Sequence, residues 1–305
     1  MARGGRSQRY SGYLETLGGV PTMPSGLPLT IPHPNGTTYT NGRYYFVDEN
    51  DGNDGDDGLA PDRALATIEQ GITLMNANVN WSSSSWGCKD VLVIAPGVYE
   101  ETLTALPYGG QMIGLGVLDK SGDHGVVIKS AAPVDVTSAL NTRISNITFE
   151  STGAGEAFEC DTSNYMSFDH CDFRGVKATT VSAFTVKVAG LLTTWRDCFF
   201  SNAITGFRVG AGSATGFFEC LIEDSRIMYV GTYGIQIEDN LPTAGTLVNR
   251  VHIGDGATTL TEGIHSPGAK LNVSNTTVTA TAMDPASAAG QAYYNNVYLN
   301  GAIIT

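Results

Sequence analysis

The sequence predicts an all-β chain wound as a right-handed parallel β-helix, fronted by a capping helix and an extended N-terminal arm. Three observations lead there: a six-residue motif that recurs at near-constant intervals, a second strand signal inside most intervals, and a composition poor in charge and rich in glycine. Of 305 residues, 15% are charged and 37 are glycine. That balance suits β-structure with many tight turns.

The motif occurs seven times, as ISNITF from Ile144, FDHCDF from Phe168, WRDCFF from Trp195, IEDSRI from Ile222, VNRVHI from Val248, VSNTTV from Val273 and YNNVYL from Tyr294. Successive starts lie 24, 27, 27, 26, 25 and 21 residues apart. The first position is always large and apolar, and so is the sixth: Phe149, Phe173, Phe200, Ile227, Ile253, Val278 and Leu299. The fourth is small or apolar and includes Cys171 and Cys198. The third is polar throughout, as Asn146, His170, Asp197, Asp224, Arg250, Asn275 and Asn296.

A second strand signal follows each of five starts by 11–15 residues: AFECD from Ala157, AFTVKV from Ala183, GFRVG from Gly206, GIQIE from Gly234 and GIHS from Gly263. Alternation of apolar and polar residues marks these as strands, and glycine ahead of the strand is expected to supply a turn. A unit of two short strands cannot bury its apolar face alone, so the units must stack. Helical repeats would need Ala, Leu, Glu and Lys at helical spacing, whereas these are rich in Val, Ile, Phe, Thr and Gly. Stacked coils lie about 4.8 Å apart, which turns equivalent residues into ladders. Phe149, Phe173 and Phe200 are then expected to stack inside.

Upstream, Asp48 to Gly58 holds six acids in eleven residues. Leu65, Ile68, Ile72, Met75 and Val79 follow at helical spacing, then a buried strand from Val91 to Ala95 and a Pro96-Gly97 turn. The run YYFVDENDGNDGDDGLAP, then ALATIEQGITLMN, then DVLVIAPGVYEE resembles the opening of the pectate-lyase-like right-handed β-helix superfamily, of the kind also found in bacteriophage tailspike and virion decoration proteins. With the repeats, the resemblance spans roughly residues 44–300. It implies that the helix carrying Leu65, Ile68, Ile72 and Met75 covers the open end of the first coil, where unpaired backbone invites aggregation. The chain divides into a basic arm over 1–43 for docking or assembly, an opening module with acidic loop and capping helix over 44–120, and β-helix coils over 121–305.

Net charge is −13, which argues against nucleic acid as a partner. Residues 1–43 carry Arg3, Arg6, Arg9 and Arg43 against Glu15, a net of +3, so the remainder stands at −16. This asymmetry marks Arg3, Arg6 and Arg9 as candidate assembly contacts. No stretch is long and apolar enough for a membrane span, and Met1 to Gly19 lacks the apolar core of a secretory signal. Five cysteines without a CxxC pair point to reduced, buried thiols rather than disulfides or zinc.

Two groups of residues are candidates for chemistry. Asp48, Asn50, Asp51, Asp54 and Asp56 have the oxygen-rich alternation of a calcium loop, although Leu59 stands where an EF-hand has its bidentate Glu. No other cofactor is implied. The polar ladder sets His170, Asp197, Asp224 and Arg250 on consecutive coils, so that the two acids lie about 5 Å apart, as in a retaining glycosidase. The same ladder also reads as a structural bend completed by Asn146, Asn275 and Asn296. Other carboxylates that could line a groove are Glu159, Asp161, Glu219, Glu223, Glu238 and Asp239.

The functions consistent with this pattern are a bacteriophage virion component, in head or tail, docked through its arm; a polysaccharide lyase or glycoside hydrolase; or a non-catalytic carbohydrate-binding module. The resemblance implies a homotrimer for the first. Expected partners are other virion proteins and a host-surface glycan.

Overall fold

The computed structural model describes residues 15–17, 20–22, 43–77, 90–118, 124–135, 140–153, 156–160, 165–175, 184–188, 192–210, 219–237, 245–254, 260–266, 270–283 and 292–304. The chain winds through three faces. The first face is a continuous ten-stranded sheet of Tyr44–Val47, Val91–Ile94, Gln111–Gly114, Arg143–Ser145, Ser167–Asp169, Thr193–Arg196, Glu219–Glu223, Gly245–Asn249, Lys270–Ser274 and Ala292–Asn295. Every neighbouring pair in it is parallel and separated by one turn of the solenoid. Pairing runs unbroken across residue 120, so the helical winding already starts at Tyr44.

The second face runs from Gly97–Glu100 and Val126–Ser130 through Ile147–Ser151 and Asp172–Arg174. It continues through the first halves of Phe199–Val209 and Arg226–Ile237, then His252–Ile253, Thr277–Val278 and Val297–Leu299. It ends on an antiparallel strand, Ala302–Ile304, which folds back on the last coil. The third face holds Val134–Asp135, Phe158–Cys160, Phe184–Val188, the second halves of the two long strands, and Glu262–His265. The second strand signals of the sequence form this face.

The repeated motif marks the corner between the first and second faces, and its third position is that corner. Asn146, His170, Asp197, Asp224, Arg250, Asn275 and Asn296 all have φ between 48° and 57°. The left-handed region costs an ordinary L-residue about 1–2 kcal/mol and is tolerated best by Gly, Asn and Asp. Across the corner the backbone ladder persists, as when Asn146 N donates to Asp169 O and His170 N to Arg196 O.

Positions one, four and six point inward. Phe149, Phe173 and Phe200 stack in register with ring centroids 5.2 and 5.4 Å apart and planes within 9° of parallel. Phe168 and Trp195 stack at 3.9 Å beside them, and Phe158 and Phe207 meet the stack edge-on. Each fully buried ring is worth about 1.5–3 kcal/mol of transfer energy, with about 0.5–1.5 more per aromatic pair.

Gly206, Gly234 and Gly263 do not serve the turn expected of them. They sit where the second and third faces approach each other, and a Cβ on each would lie 2.3, 2.3 and 2.1 Å from Ile227, Ile253 and Val278 respectively. Glycine is required there for proximity.

The expected capping helix spans Ile68–Ala77 and buries Ile68, Gly71, Ile72 and Met75 against the first coil. Leu65 is equally buried but precedes the helix, bridging to Val47. Its carbonyl and N–H join the coil ladder instead. Val79 lies outside the described residues, as do Arg3, Arg6 and Arg9. Within the expected arm, Glu15–Leu17 pairs antiparallel with Val20–Thr22, and the rest of residues 1–42 lies outside the described residues. No helix among the described residues is long and apolar enough to cross a membrane.

Candidate functional site

Three groups of polar side chains decorate the solenoid. The corner ladder is brought together as the sequence predicted, and its members pair along the axis. His170 Nδ1 lies 2.7 Å from Asp197 Oδ2. Arg250 donates twice to Asp224, from Nε at 2.6 Å and Nη2 at 2.8 Å, and from Nη2 to Glu223 at 2.7 Å. Arg196 Nε and Asn249 Nδ2 also donate to Glu223, and Asn249, Ser274, Asn275 and Asn296 continue the chain of bonds.

Asp197 and Asp224 therefore stand on adjacent coils with opposite partners, one turned to His170 and the other to Arg250. The Arg250 bond holds the Asp224 carboxyl below the usual range. Burial pushes Glu223 up, but its bonds from Asn249, Arg196 and Arg250 outweigh this and hold it low as well. A proton donor at neutral pH needs the reverse arrangement, a carboxyl pushed up by its surroundings. His170 and Asp197 are 55% and 60% exposed, so water reaches both. The geometry is that of a neutralised corner.

The acidic loop uses its oxygens on the backbone. Asp48 Oδ1 accepts from Asn50 N and Asp51 N, Asn53 from Gly55 N, and Asp57 from Leu59 N and Arg63. Asp54 accepts from Ala66 N, Thr67 N and Thr67 Oγ1 just ahead of the helix. Glu101 then receives the first free helix amides, Ile68 N and Glu69 N, both at 2.9 Å. Among the described residues no three His, Cys, Asp or Glu side chains are placed to share a metal ion. Of the five candidates, Asp48 and Asp54 spend side-chain oxygens on local turns and on the amides ahead of the helix, where free N–H groups demand acceptors.

The third group lies on the outer side of the second face and was not singled out from the sequence. Asp172 and Arg174 flank inward-facing Phe173 and form an ion pair, with both side chains only 8% exposed. Arg174 also reaches Glu150 at 3.7 Å, and Glu150 reaches Lys129 at 3.7 Å, one coil further back. Thr148 stands in register with Asp172, and Glu150 with Arg174. Arg174 Nε and Thr148 Oγ1 are buried and find no hydrogen-bond partner among the described residues. Positions on the solvent side of a strand are ordinarily wet, and an unmet buried polar atom costs about 1–3 kcal/mol. A signal for this cluster existed: charged residues directly flank the inward aromatic in two successive coils, at Glu150, Asp172 and Arg174.

Among the other carboxylates, Glu159 pairs with Lys187 on the third face. Asp161, Glu238 and Asp239 lie outside the described residues.

No family model matches the sequence, and no curated protein matches it. Solved structures do resemble the fold. Pectin methylesterase from carrot shares 16% identity over 88% of this chain and 86% of that one, with a TM-score of 0.54. Pectin methylesterase from Aspergillus niger shares 17% over 88% of each chain, with a TM-score of 0.52. A pectate lyase shares 10% over 78% of this chain and 63% of that one, with a TM-score of 0.53. The chain thus has the right-handed parallel β-helix fold common to these proteins.

Proposed function

We propose that the chain is a carbohydrate-active β-helix that works on an acidic polysaccharide at the outer side of its second face, with Asp172, Arg174, Glu150 and Lys129 as the centre. The Asp172–Arg174 pair, buried on what should be the wet side of a strand beside two unmet polar atoms, carries this reading. The fold shared with pectin methylesterases and a pectate lyase supports it. Hydrolysis of an ester or glycosidic bond makes the fewest demands on the cluster. Asp172 would be the reacting carboxylate held by Arg174, and Glu150 would position the same guanidinium. Elimination beside a uronate needs a free base, whereas Lys129 and Arg174 are both engaged by carboxylates.

The test is to incubate the protein with methyl-esterified pectin, polygalacturonate and a neutral glucan, following methanol, reducing ends and unsaturated product separately. Turnover of an acidic polymer that Asp172→Asn abolishes is expected. Removing one partner of a buried pair can unfold the site, so Glu150→Gln, which leaves that pair intact, is assayed beside it. No turnover by the wild type, or full activity in Asp172→Asn, sinks the reading.

A second reading rests on the charge asymmetry between residues 1–43 and the body: a virion component docked through its basic arm and assembled as a homotrimer. Its mark would be stoichiometric presence in purified particles and a trimer by light scattering. In that role the polysaccharide would be a host-surface glycan.

A further inference from the structure

Tyr229 sits at the corner between the second and third faces, where the backbone must turn through the left-handed region. Its φ is 57°, and the equivalent residue one coil earlier, Asn202, has φ 60°. One coil later the positive φ falls one residue earlier, at Gly254 with φ 95°, which directly follows the Ile227↔Ile253 pair. Asn and Gly are what this corner favours, and an aromatic residue there carries strain that smaller neighbours avoid. The strained residue does not repay this by packing inward, for Tyr229 is 44% exposed.

Among the described residues the other large hydrophobics exposed in this conformation are Tyr165 and Leu192, and both belong to the corner leading into the first face. Tyr229 is the one of the three on the edge of the face that carries the Asp172–Arg174 pair. Arg174 is in register with Ser201, and Ser201 with Met228, so Tyr229 stands two coils along the axis and one residue beyond Arg174. Two strand spacings are about 10 Å, within the reach of one oligosaccharide.

We propose that Tyr229 is a binding platform, a ring face presented to a sugar of the same polysaccharide chain whose charged groups meet Arg174 and Lys129. This rests on the function proposed above and adds to it a specificity-determining contact and a direction, with the glycan running along the solenoid axis. Strain retained at an exposed aromatic is what a ligand contact would explain and what fold stability alone would remove.

That contrast sets the experiment. Tyr229→Asn supplies the residue that the preceding coil uses at this corner, so its melting temperature is expected at or above the wild-type value, by up to about 2–4 °C. Its affinity for polygalacturonate or methyl-esterified pectin, measured by calorimetry on the full chain, is expected to fall about tenfold. Tyr229→Phe keeps the ring and should bind as the wild type does. Unchanged affinity in Tyr229→Asn overturns the platform while leaving the proposed function standing. A wild type that binds neither polymer overturns both. A Tyr229→Asn protein that melts well below the wild type shows the side chain to be structural and overturns the platform as well.

Discussion

Asn146 is where the corner geometry can be measured most cleanly. Its φ is 57°, and its Nδ2 donates to Gly114 O at 2.8 Å and to Gly116 O at 2.9 Å. Replacing it by alanine removes both bonds, each worth about 0.5–1.5 kcal/mol net, and puts a less tolerant residue in the left-handed region at about 1–2 kcal/mol. The sum is a loss of about 2–5 kcal/mol. Asn146→Gly removes the same bonds without the conformational penalty, while adding about 0.4–1 kcal/mol of unfolded-chain freedom. The alanine variant should therefore be less stable than the glycine variant by about 1 kcal/mol. At His170, whose side chain meets only an exposed partner, glycine should change stability by about 0.5 kcal/mol or less. Equilibrium urea unfolding at constant m-value reads all three differences. Equal stability of the two Asn146 variants would refute the claim that the third position of the repeat is chosen for its backbone conformation.

Further outcomes follow from other parts of the fold. Gly234→Ala should destabilise by about 1–3 kcal/mol in the same unfolding experiment, because the new Cβ would lie 2.3 Å from Ile253 Cγ2 and 2.5 Å from Gly263 O. Cys160, Cys171, Cys198 and Cys220 are buried, with burial pushing Cys220 up to about 12 and Cys198 well up too. A thiol reagent should leave these four untouched in the native protein and titrate them in denaturant. Arg250→Gln should lower stability slightly at neutral pH and low salt. Arg250 holds the Asp224 carboxyl, and helps to hold the Glu223 carboxyl, below their ordinary values, so that contribution is fully present above those ordinary values and the two stability curves should converge as the pH falls through the lowered ones. Replacing Asp172 and Arg174 together by leucine should cost far less stability than removing either one, and could raise the melting temperature, while any turnover is lost.

Most of the architecture was legible because a solenoid writes its periodicity into the sequence. Inward positions one and six repeat seven times, and each bad match would leave a gap in a ladder, so the core could be aligned without coordinates. The corner was legible as a polar position but not as a conformation: Asn146, Asn275 and Asn296 fit a left-handed bend, whereas His170 and Arg250 disguise it. Their charges suggested chemistry where the backbone supplies the common cause. Gly206, Gly234 and Gly263 were misread for the opposite reason. Glycine signals both a turn and a close approach, and the approaching partner, Ile227, Ile253 or Val278, belongs to another face. In the acidic loop the demand of the helix start for acceptors, met by Asp54 and Glu101, cannot be seen before the helix is placed.

The cluster on the second face escaped because it breaks the pattern that made the rest readable. Strand alternation assigns Thr148, Glu150, Asp172 and Arg174 to solvent, and solvated charges need no partners, so nothing in the sequence asked for them to be buried. Local rules and the global fold agree along most of this chain, at the cores, corners and caps alike. They part at scattered points, among them the unmet Trp195 Nε1 and Ser266 Oγ and the exposed corner residues Tyr165 and Leu192, and at three on the second face and its edge: Thr148, whose hydroxyl is buried without a partner, Arg174, whose Nε is likewise unmet, and Tyr229, an exposed ring in a left-handed bend. These three lie within four consecutive coils on one side of the solenoid. Where three such departures fall on one side of the solenoid and folding gains nothing from them, another molecule can supply the missing contacts.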